Sequence, residues 1–387
     1  MIRHLLAVVV AIVFIGCSSP VASPSQSDGS SLASQFPSPT TISTSSPEVS
    51  PSVKSCGETS KDYASRILAC LEQGTAAVPS NPVLLVYHLD PRLSDAAQEN
   101  ITEIAKWALP HYNGYFTRLK RSATMHVIFP LDSKWCGEQV AEFDYGNPTA
   151  EATANSYLCG QDGGANAGHA DSPGTAFVVV RPPASLVKSF QAGDGGEEAK
   201  FFYSLVAAEM GHASRGLMME AFTGELGGQR YWPIWAQYMA NELMRFAADV
   251  KQGISKKSAI EDRIWWMCER KLTWRADYGD KRLQSWESGG GIYGCPGGPD
   301  DQTNMDTPNH YNMAYLAGEF FTLEKGFDWM LEVFMQQPLK SVRGDGTVDR
   351  DAAAASLGWA DWDALESDLN NYMWERLSGF GASIPKQ

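Results

Sequence analysis

The stretch 201–216 constrains the fold most, because it predicts one helix that carries polar groups on an apolar face. Leu205, Ala208, Glu209 and His212 recur at the i, i+3, i+4 and i+7 positions, so they share one face of that helix. A carboxylate and an imidazole are costly to bury unless they are paired, hydrated or bound to a metal. The pattern therefore predicts either a polar site on the helix or, more simply, a surface pair or a satisfied core histidine.

The ends of this helix are also marked in the sequence. Asp194 and Glu197, three residues apart, form a start signal for a helix. Gly216 is a natural residue for the position that follows a helix C-terminus. We therefore expect the helix to end at Gly216.

The segment Ala208-Glu209-Met210-Gly211-His212 has the spacing of the H-E-x-x-H pattern. In that pattern two histidines bind zinc and the glutamate activates a water molecule. Glu209 occupies the position of the general base and His212 that of the second ligand, whereas Ala208 occupies the position of the first ligand. The E-x-x-H remnant is a weak signal alone, so its interpretation depends on the rest of the chain.

The N-terminus has the composition of an export signal. Arg3 precedes the apolar run Leu5–Ile15, which is too short to span a bilayer. The run ends in Phe14-Ile15-Gly16-Cys17, which resembles the lipobox of bacterial lipoproteins. This resemblance implies cleavage before Cys17, with residues 1–16 as the signal peptide, and acylation of the Cys17 thiol, for example with palmitate. An ordinary secretory signal or an uncleaved anchor is the alternative.

Residues 17–55 are rich in Ser, Pro and Thr and contain few large apolar residues, so they cannot bury enough surface to fold. They are predicted to be a disordered tether behind the lipidated cysteine. The protein is then exported and anchored by its lipid to the outer face of the bacterial cytoplasmic membrane, where the domain is exposed at the cell surface. Residues 56–387 form the globular domain, with an α/β part to about residue 193 and a helical part from about 194.

The net charge excludes one large class of function. The chain has a formal net charge of −14, and removing the signal takes away one basic residue, Arg3, and no acidic residue. A strongly acidic domain is not expected to bind nucleic acid, nor to be attracted electrostatically to anionic lipid. We therefore expect no nucleic-acid partner.

The cysteine count supports export. Apart from Cys17, the chain has an even number of cysteines, which in an exported protein suggests three disulfides. Sequential pairing would close three short loops, although other pairings are open. No C-x-x-C occurs, which argues against a structural zinc site and against thioredoxin-like chemistry. The disulfide candidates, written in sequential pairs, are Cys56 with Cys70, Cys136 with Cys159, and Cys268 with Cys295.

The hydrophobic periodicity predicts an α+β fold: a small mixed sheet plus a long helix, then the 201–216 helix and a mostly helical C-terminal half. The predicted strands are Val83–His88, Thr124–Phe129 and Ala176–Arg181. Loops are predicted at Asp132–Ser172 and Gly289–Pro308. The predicted helices, besides 201–216, are Thr59–Gln73, Ser94–Leu119 with an interruption near Pro110, Pro233 to about Val250, Ile260–Trp274, Tyr311–Leu323, Phe327–Gln336 and Trp362–Leu377.

From Val83 to Leu377 the chain resembles the gluzincins, zinc metallopeptidases of the MA clan with an H-E-x-x-H helix. In that family a small sheet precedes the motif helix, and one strand runs beside the cleft and pairs with substrate. Ala176–Arg181 is similar in placement to that strand. A downstream helix of the family begins P-x-W-x-x-E-G, and its glutamate is the third zinc ligand. Here the corresponding segment is Pro233-Ile234-Trp235-Ala236-Gln237-Tyr238-Met239, with Tyr238 in place of the ligand.

The resemblance therefore implies a degenerate metal site, because only His212 remains of the three expected ligands. Glu242 lies one turn after Tyr238 on the same helix face, so zinc could be held in a rebuilt site by Glu209, His212 and Glu242. Other candidate ligands lie in segments that the sequence does not position. These are Glu220, His169 and His310.

Three functions are open at this point. The favoured one is a pseudoenzyme: a cell-surface lipoprotein whose gluzincin-like domain has lost zinc and catalysis, needs no cofactor, and binds a peptide or protein. The second is an active zinc endopeptidase or aminopeptidase with displaced ligands, in which Glu209 is the base and Tyr311 steadies the oxyanion. The third is a structural envelope lipoprotein without a functional cleft.

Overall fold

The computed structural model describes residues 62–74, 79–80, 82–141, 149–155, 157–160, 162–169, 172–193, 196–223, 232, 234–265, 306–344 and 347–378. All of these lie in the compact unit Ser55–Gln387, and the other unit, Met1–Lys54, lies outside the described residues. The predictions for the signal peptide, Cys17, the tether, Cys56, Cys268, Cys295, Pro233 and most of the Gly289–Pro308 loop therefore fall outside them.

The fold is α+β, with a small four-stranded sheet and many helices, as the sequence predicts. The strands are β1 Val83–Leu89, β2 Ala123–Phe129, β3 Gly164–His169 and β4 Thr175–Arg181. The helices are α1 Tyr63–Gln73, α2 Asp95–Ala108, α3 Asn113–Phe116, α4 Ser133–Val140, α5 Ala150–Ala154, α6 Tyr157–Gly160, α7 Val187–Ala192, α8 Glu197–Thr223, α9 Ile234–Lys251, α10 Lys256–Trp265, α11 Asp306–Lys325, α12 Phe327–Trp329, α13 Gln337–Lys340, α14 Arg350–Leu357 and α15 Trp362–Ser378. Short 3-10 turns cover Leu109–Tyr112 and Ala184–Leu186, and a π-helical turn covers Met330–Phe334.

The sheet is mixed. Its strand order is β1-β2-β4-β3, with β1–β2 and β2–β4 parallel and β3 antiparallel to β4. Strand β3 lies inside the segment that the sequence predicts to be a loop, because its Gly, Ala and Asn residues have little preference for strands. Its pairing with β4 compensates for this, and Gly168 lies under the Phe177 ring, where a Cβ atom would be 2.8 Å from Cζ.

The position of β4 corrects one implication of the resemblance. Ala176–Arg181 is similar in placement to the strand that pairs with substrate, but β4 is hydrogen-bonded to β2 on one side and to β3 on the other. Both edges of β4 are occupied, so it cannot add a further strand. Among the described strands, β3 is the edge strand on this side of the sheet.

The two faces of the sheet are buried differently. One face packs on α2 and α8 in the main core of the domain. The other face carries a smaller core in which Ile128, Phe177 and Val179 pack against Cys136 and Cys159. The disulfide between these two cysteines joins α4 to α6, as the sequential pairing predicts. Cys70 is disulfide-bonded too.

Helix α8 is longer than the sequence suggests. The prediction that it ends at Gly216 is wrong, because the helix continues to Thr223. Leu217, Met218 and Met219 are buried directly after the glycine. Packing of these three apolar side chains outweighs the roughly 1 kcal/mol by which glycine disfavours a helix interior.

The helical half packs around α8, α9 and α11. The predicted Ser94–Leu119 helix divides into α2, a 3-10 turn and α3 at Pro110, whose missing N–H interrupts the helical hydrogen bonds. Glu319 of α11 is fully buried, where it accepts hydrogen bonds from Tyr372 and Arg376 of α15. Within the described residues, no helix is both long and apolar enough to cross a membrane.

Candidate functional site

Helices α8 and α9 approach each other closely at Gly211. A Cβ atom at this position would lie 2.7 Å from Oδ1 of Asn241 and 3.0 Å from the hydroxyl of Tyr112. Only glycine leaves room for both groups. The absence of a side chain here brings the polar residues of the two helices into one cluster.

His212 contacts the residue that replaces the expected zinc ligand. The rings of His212 and Tyr238 meet edge to face, with centroids 4.6 Å apart and an interplanar angle of 86°. Burial, followed by the charge of Arg215, holds the pKa of His212 well below its usual value. The imidazole is therefore neutral at physiological pH, packed against an aromatic ring that cannot coordinate zinc as a carboxylate would.

Glu209 lies in a buried environment with a second carboxylate. Its side chain is 9% exposed, and burial, together with the charge of Glu242, raises the pKa of Glu209 to about 8. Arg245 and Arg215 act in the opposite direction without cancelling that increase. Glu242, itself buried, lies 3.9 Å from Nη1 of Arg245. The structure thus places Glu242 in the same region as Glu209, as the helix spacing predicts.

Two arginines in this cluster were not among the residues that the sequence singles out. Arg215 donates from Nη1 to the carbonyl oxygen of Gln237 at 2.8 Å, and burial lowers its pKa. The Arg245 guanidinium lies over the Phe201 ring, 4.4 Å from its centroid. Each arginine is three residues after a candidate site residue, His212 or Glu242, and this spacing could have identified them.

Uncharged polar groups complete the cluster. The fully buried Tyr112 donates its hydroxyl hydrogen to the carbonyl oxygen of Ala207 at 2.7 Å. Burial raises the pKa of Tyr112 well above its usual value, and Tyr115, Glu209 and Glu242 add to the increase. Asn241 is 2% exposed, and neither atom of its amide has a hydrogen-bond partner within the described residues.

Of the remaining candidate positions, the two whose side chains the structure describes, Ala208 and Glu220, add no ligand to this cluster. Ala208 is buried and offers no ligand atom. Glu220 accepts a hydrogen bond from the Gly174 N–H at 2.7 Å and forms a salt bridge with Arg121. These contacts connect α8 to the residues that precede β4. The side chains of His169, His310 and Tyr311 lie outside those described. Among the described side chains, no three His, Cys, Asp or Glu residues are grouped to hold a metal ion.

The edge of the sheet lies next to the motif helix. Helix α8 contacts both β4 and the edge strand β3. The edge strand β3 therefore packs on the same helix that carries Glu209 and His212.

No family model, no curated protein and no solved structure matches the chain.

Proposed function

We propose that the chain is an exported lipoprotein, anchored through Cys17 to the outer face of the bacterial membrane, whose gluzincin-like domain has lost zinc and binds an extended peptide or protein segment. The observation that carries the proposal is the ring contact between His212 and Tyr238. It occurs where the resemblance expects a glutamate to share a zinc ion with that histidine. Ala208, in place of the first ligand, is the second loss at the same site.

The charges around Glu209 favour a retained cleft over a purely structural domain. A core that only stabilises the fold is expected to replace such groups by apolar ones, because buried charges are expensive. Instead Glu209 and Glu242 lie among Arg215, Arg245 and Tyr112. We interpret this cluster as the modified remnant of a catalytic site.

Strand β3 provides the binding surface in this proposal. Within the described residues only one of its edges is paired, with β4. An exposed strand edge presents backbone N–H and C=O groups to which an extended peptide can add as a further strand. The residues of β3 are small, Gly164-Ala165-Asn166-Ala167-Gly168, so their side chains add little bulk beside an incoming backbone.

One observation favours the alternative of an active peptidase. A general base works best when its pKa lies near the working pH, and the pKa of Glu209 is raised to about 8. In that alternative Glu209 is the base, His212 and Glu242 are zinc ligands, and Tyr311 steadies the oxyanion. The domain would then be a zinc-dependent hydrolase with displaced ligands.

Hydrogen exchange on the purified full-length chain tests the proposal, with a fluorescein-labelled casein digest as the source of extended peptides. Saturable binding is expected to protect the β3 amides from exchange, without cleavage of the peptides. Strand β1, the other edge of the same sheet, is the internal control and should exchange at an unchanged rate. Protection of β1 alone, or of neither edge, would contradict the proposal, and cleavage that a chelator stops would establish the peptidase alternative.

A further inference from the structure

A second cluster of ligand-type side chains lies on the opposite face of the sheet. His88 of β1 and His126 of β2 point to the same face, because the register pairs Val86 with His126 and His88 with Ile128. Ile128 belongs to the small core that α4 covers, so this face is the one turned away from α8. The two histidines are thus diagonal neighbours on adjacent parallel strands, far in sequence from the α8 motif.

The ring nitrogens of these histidines face each other. Nε2 of His88 lies 2.9 Å from Nδ1 of His126, and the ring centroids are 5.1 Å apart. Nδ1 of His88 lies 3.0 Å from Oε1 of Gln139 on α4. Because this amide oxygen can only accept, Nδ1 of His88 carries the hydrogen, and Nε2 presents its lone pair to His126.

We propose that Nε2 of His88 and Nδ1 of His126 are the protein ligands of a binding site for a divalent metal ion that prefers imidazole, such as zinc. Gln139 is the positioning residue: it fixes the tautomer of His88, as partners of metal-bound histidines commonly do. The site is separate from Glu209 and His212, and it does not depend on the proposed function.

The rings must move and turn to accept the ion. Two nitrogens about 2.0–2.1 Å from a tetrahedral zinc ion lie roughly 3.3 Å apart, so the 2.9 Å separation must grow by about 0.4 Å, and each ring must rotate until its nitrogen lone pair points at the ion. The hydrogen on Nδ1 of His126 moves to Nε2 of the same ring, and no proton is lost overall. Within the described residues no third His, Cys, Asp or Glu joins the two histidines, and water molecules can occupy further positions on the ion.

The strands make the pair a rigid site. Both histidines are carried by strands that are hydrogen-bonded to each other along their length, and both rings are half-buried. Ligands on regular elements keep their separation better than ligands on loops, which reduces the ordering that metal binding requires. Imidazole ligands favour zinc, copper and nickel over magnesium and calcium.

Isothermal titration of the full-length chain with zinc tests this site. Wild type is expected to bind zinc saturably, and His88→Ala or His126→Ala should each weaken binding at least about tenfold. Gln139→Ala should weaken it by about tenfold, as the loss of an outer-shell partner typically does. His212→Ala is the matched control and should bind as wild type does.

Copper(II) electron paramagnetic resonance of the wild-type chain provides a test that needs no variant. The spectrum is expected to show coupling to imidazole nitrogens from both rings. Three results would overturn the proposal: no saturable zinc binding, zinc binding that survives in folded His88→Ala and His126→Ala variants, or a copper spectrum without imidazole coupling. Zinc binding lost only in His212→Ala would place the ion on α8 and would also overturn it.

Discussion

Replacement of Glu209 by glutamine should change the pH dependence of stability in a calculable way. The pKa of Glu209 is about 8 in the folded chain, against 4.5 for a free glutamate. Between these values the unfolded chain has lost the proton while the folded chain keeps it, so the folded state binds more protons. The free energy of unfolding therefore falls as pH rises, by about 1.4 kcal/mol per pH unit and roughly 5 kcal/mol in total.

The contribution of Glu209 is thus fully present below about pH 4.5 and is lost as the pH rises through about 8. Glutamine resembles the protonated side chain but does not titrate. Relative to wild type, Glu209→Gln should become more stable by about 1.4 kcal/mol for each pH unit between about pH 5 and about pH 8. Urea unfolding of both proteins across this range measures the difference.

A charge-matched control separates this effect from the change in net charge. Glu138 is exposed on α4, and Glu138→Gln makes the same replacement of a carboxyl group by an amide outside the α8–α9 cluster. This variant should keep the pH dependence of wild type. A stability difference between wild type and Glu209→Gln that stays constant with pH would refute the reasoning, because Glu209 would then be ionised in the folded chain.

Three further predictions concern packing and cross-links. Gly211→Ala should destabilise the domain by about 1–3 kcal/mol in urea unfolding, because the new Cβ meets atoms of α9 and the 3-10 turn at 2.7 and 3.0 Å. Glu319→Ala should cost about 3–5 kcal/mol and lower the Tm, because the buried charge of Arg376 loses its partner. Cys136→Ser should lower the unfolding free energy by about 3 kcal/mol through loss of the bond to Cys159.

Each of these variants has its own control. Gly196→Ala introduces the same methyl group at a position where nothing lies within 4 Å, and it should unfold as wild type does. A Gly211→Ala variant as stable as Gly196→Ala would mean that α8 and α9 are not closely packed. Unchanged Tm in Glu319→Ala would contradict the buried ion pair. If a reductant destabilised Cys136→Ser as much as wild type, this disulfide would not be the stabilising one.

The sequence predicts the fold class because its segments of strong hydrophobic periodicity form the expected strands and helices. Three strands rich in β-branched and aromatic residues, β1, β2 and β4, are predicted and are present in the structure, and the α+β order follows from them. The sequence does not predict strand β3, because its small residues form a strand only through pairing with β4. Nor does it predict the C-terminal part of α8, because Gly216 is a local stop signal that the buried side chains after it override.

The sequence predicts the α8–α9 cluster only where the spacing of residues along a single helix determines their positions. The spacing on α9 predicts that Glu242 lies near Glu209, and in the structure the charge of Glu242 raises the pKa of Glu209. Alignment with the motif places Tyr238 at the position of a zinc ligand, and in the structure its ring contacts His212. The spacing from His212 marks Arg215 as a candidate, but its place in the cluster also depends on how α8 packs, since an arginine on a helix is usually exposed. The pair of histidines on β1 and β2 could not be found, because their contact depends on strand register between residues that are distant in sequence.

The zinc content of a chain with restored ligands tests the central claim most directly. In a His126→Ala background, which removes the second proposed site, Ala208→His with Tyr238→Glu should retain about one zinc ion per chain after dialysis. The same background without these two changes should retain none. Zinc retained by that parent and lost on His212→Ala would contradict the claim that the α8 site has lost its metal. A folded variant that retains no zinc would contradict the gluzincin-like arrangement itself.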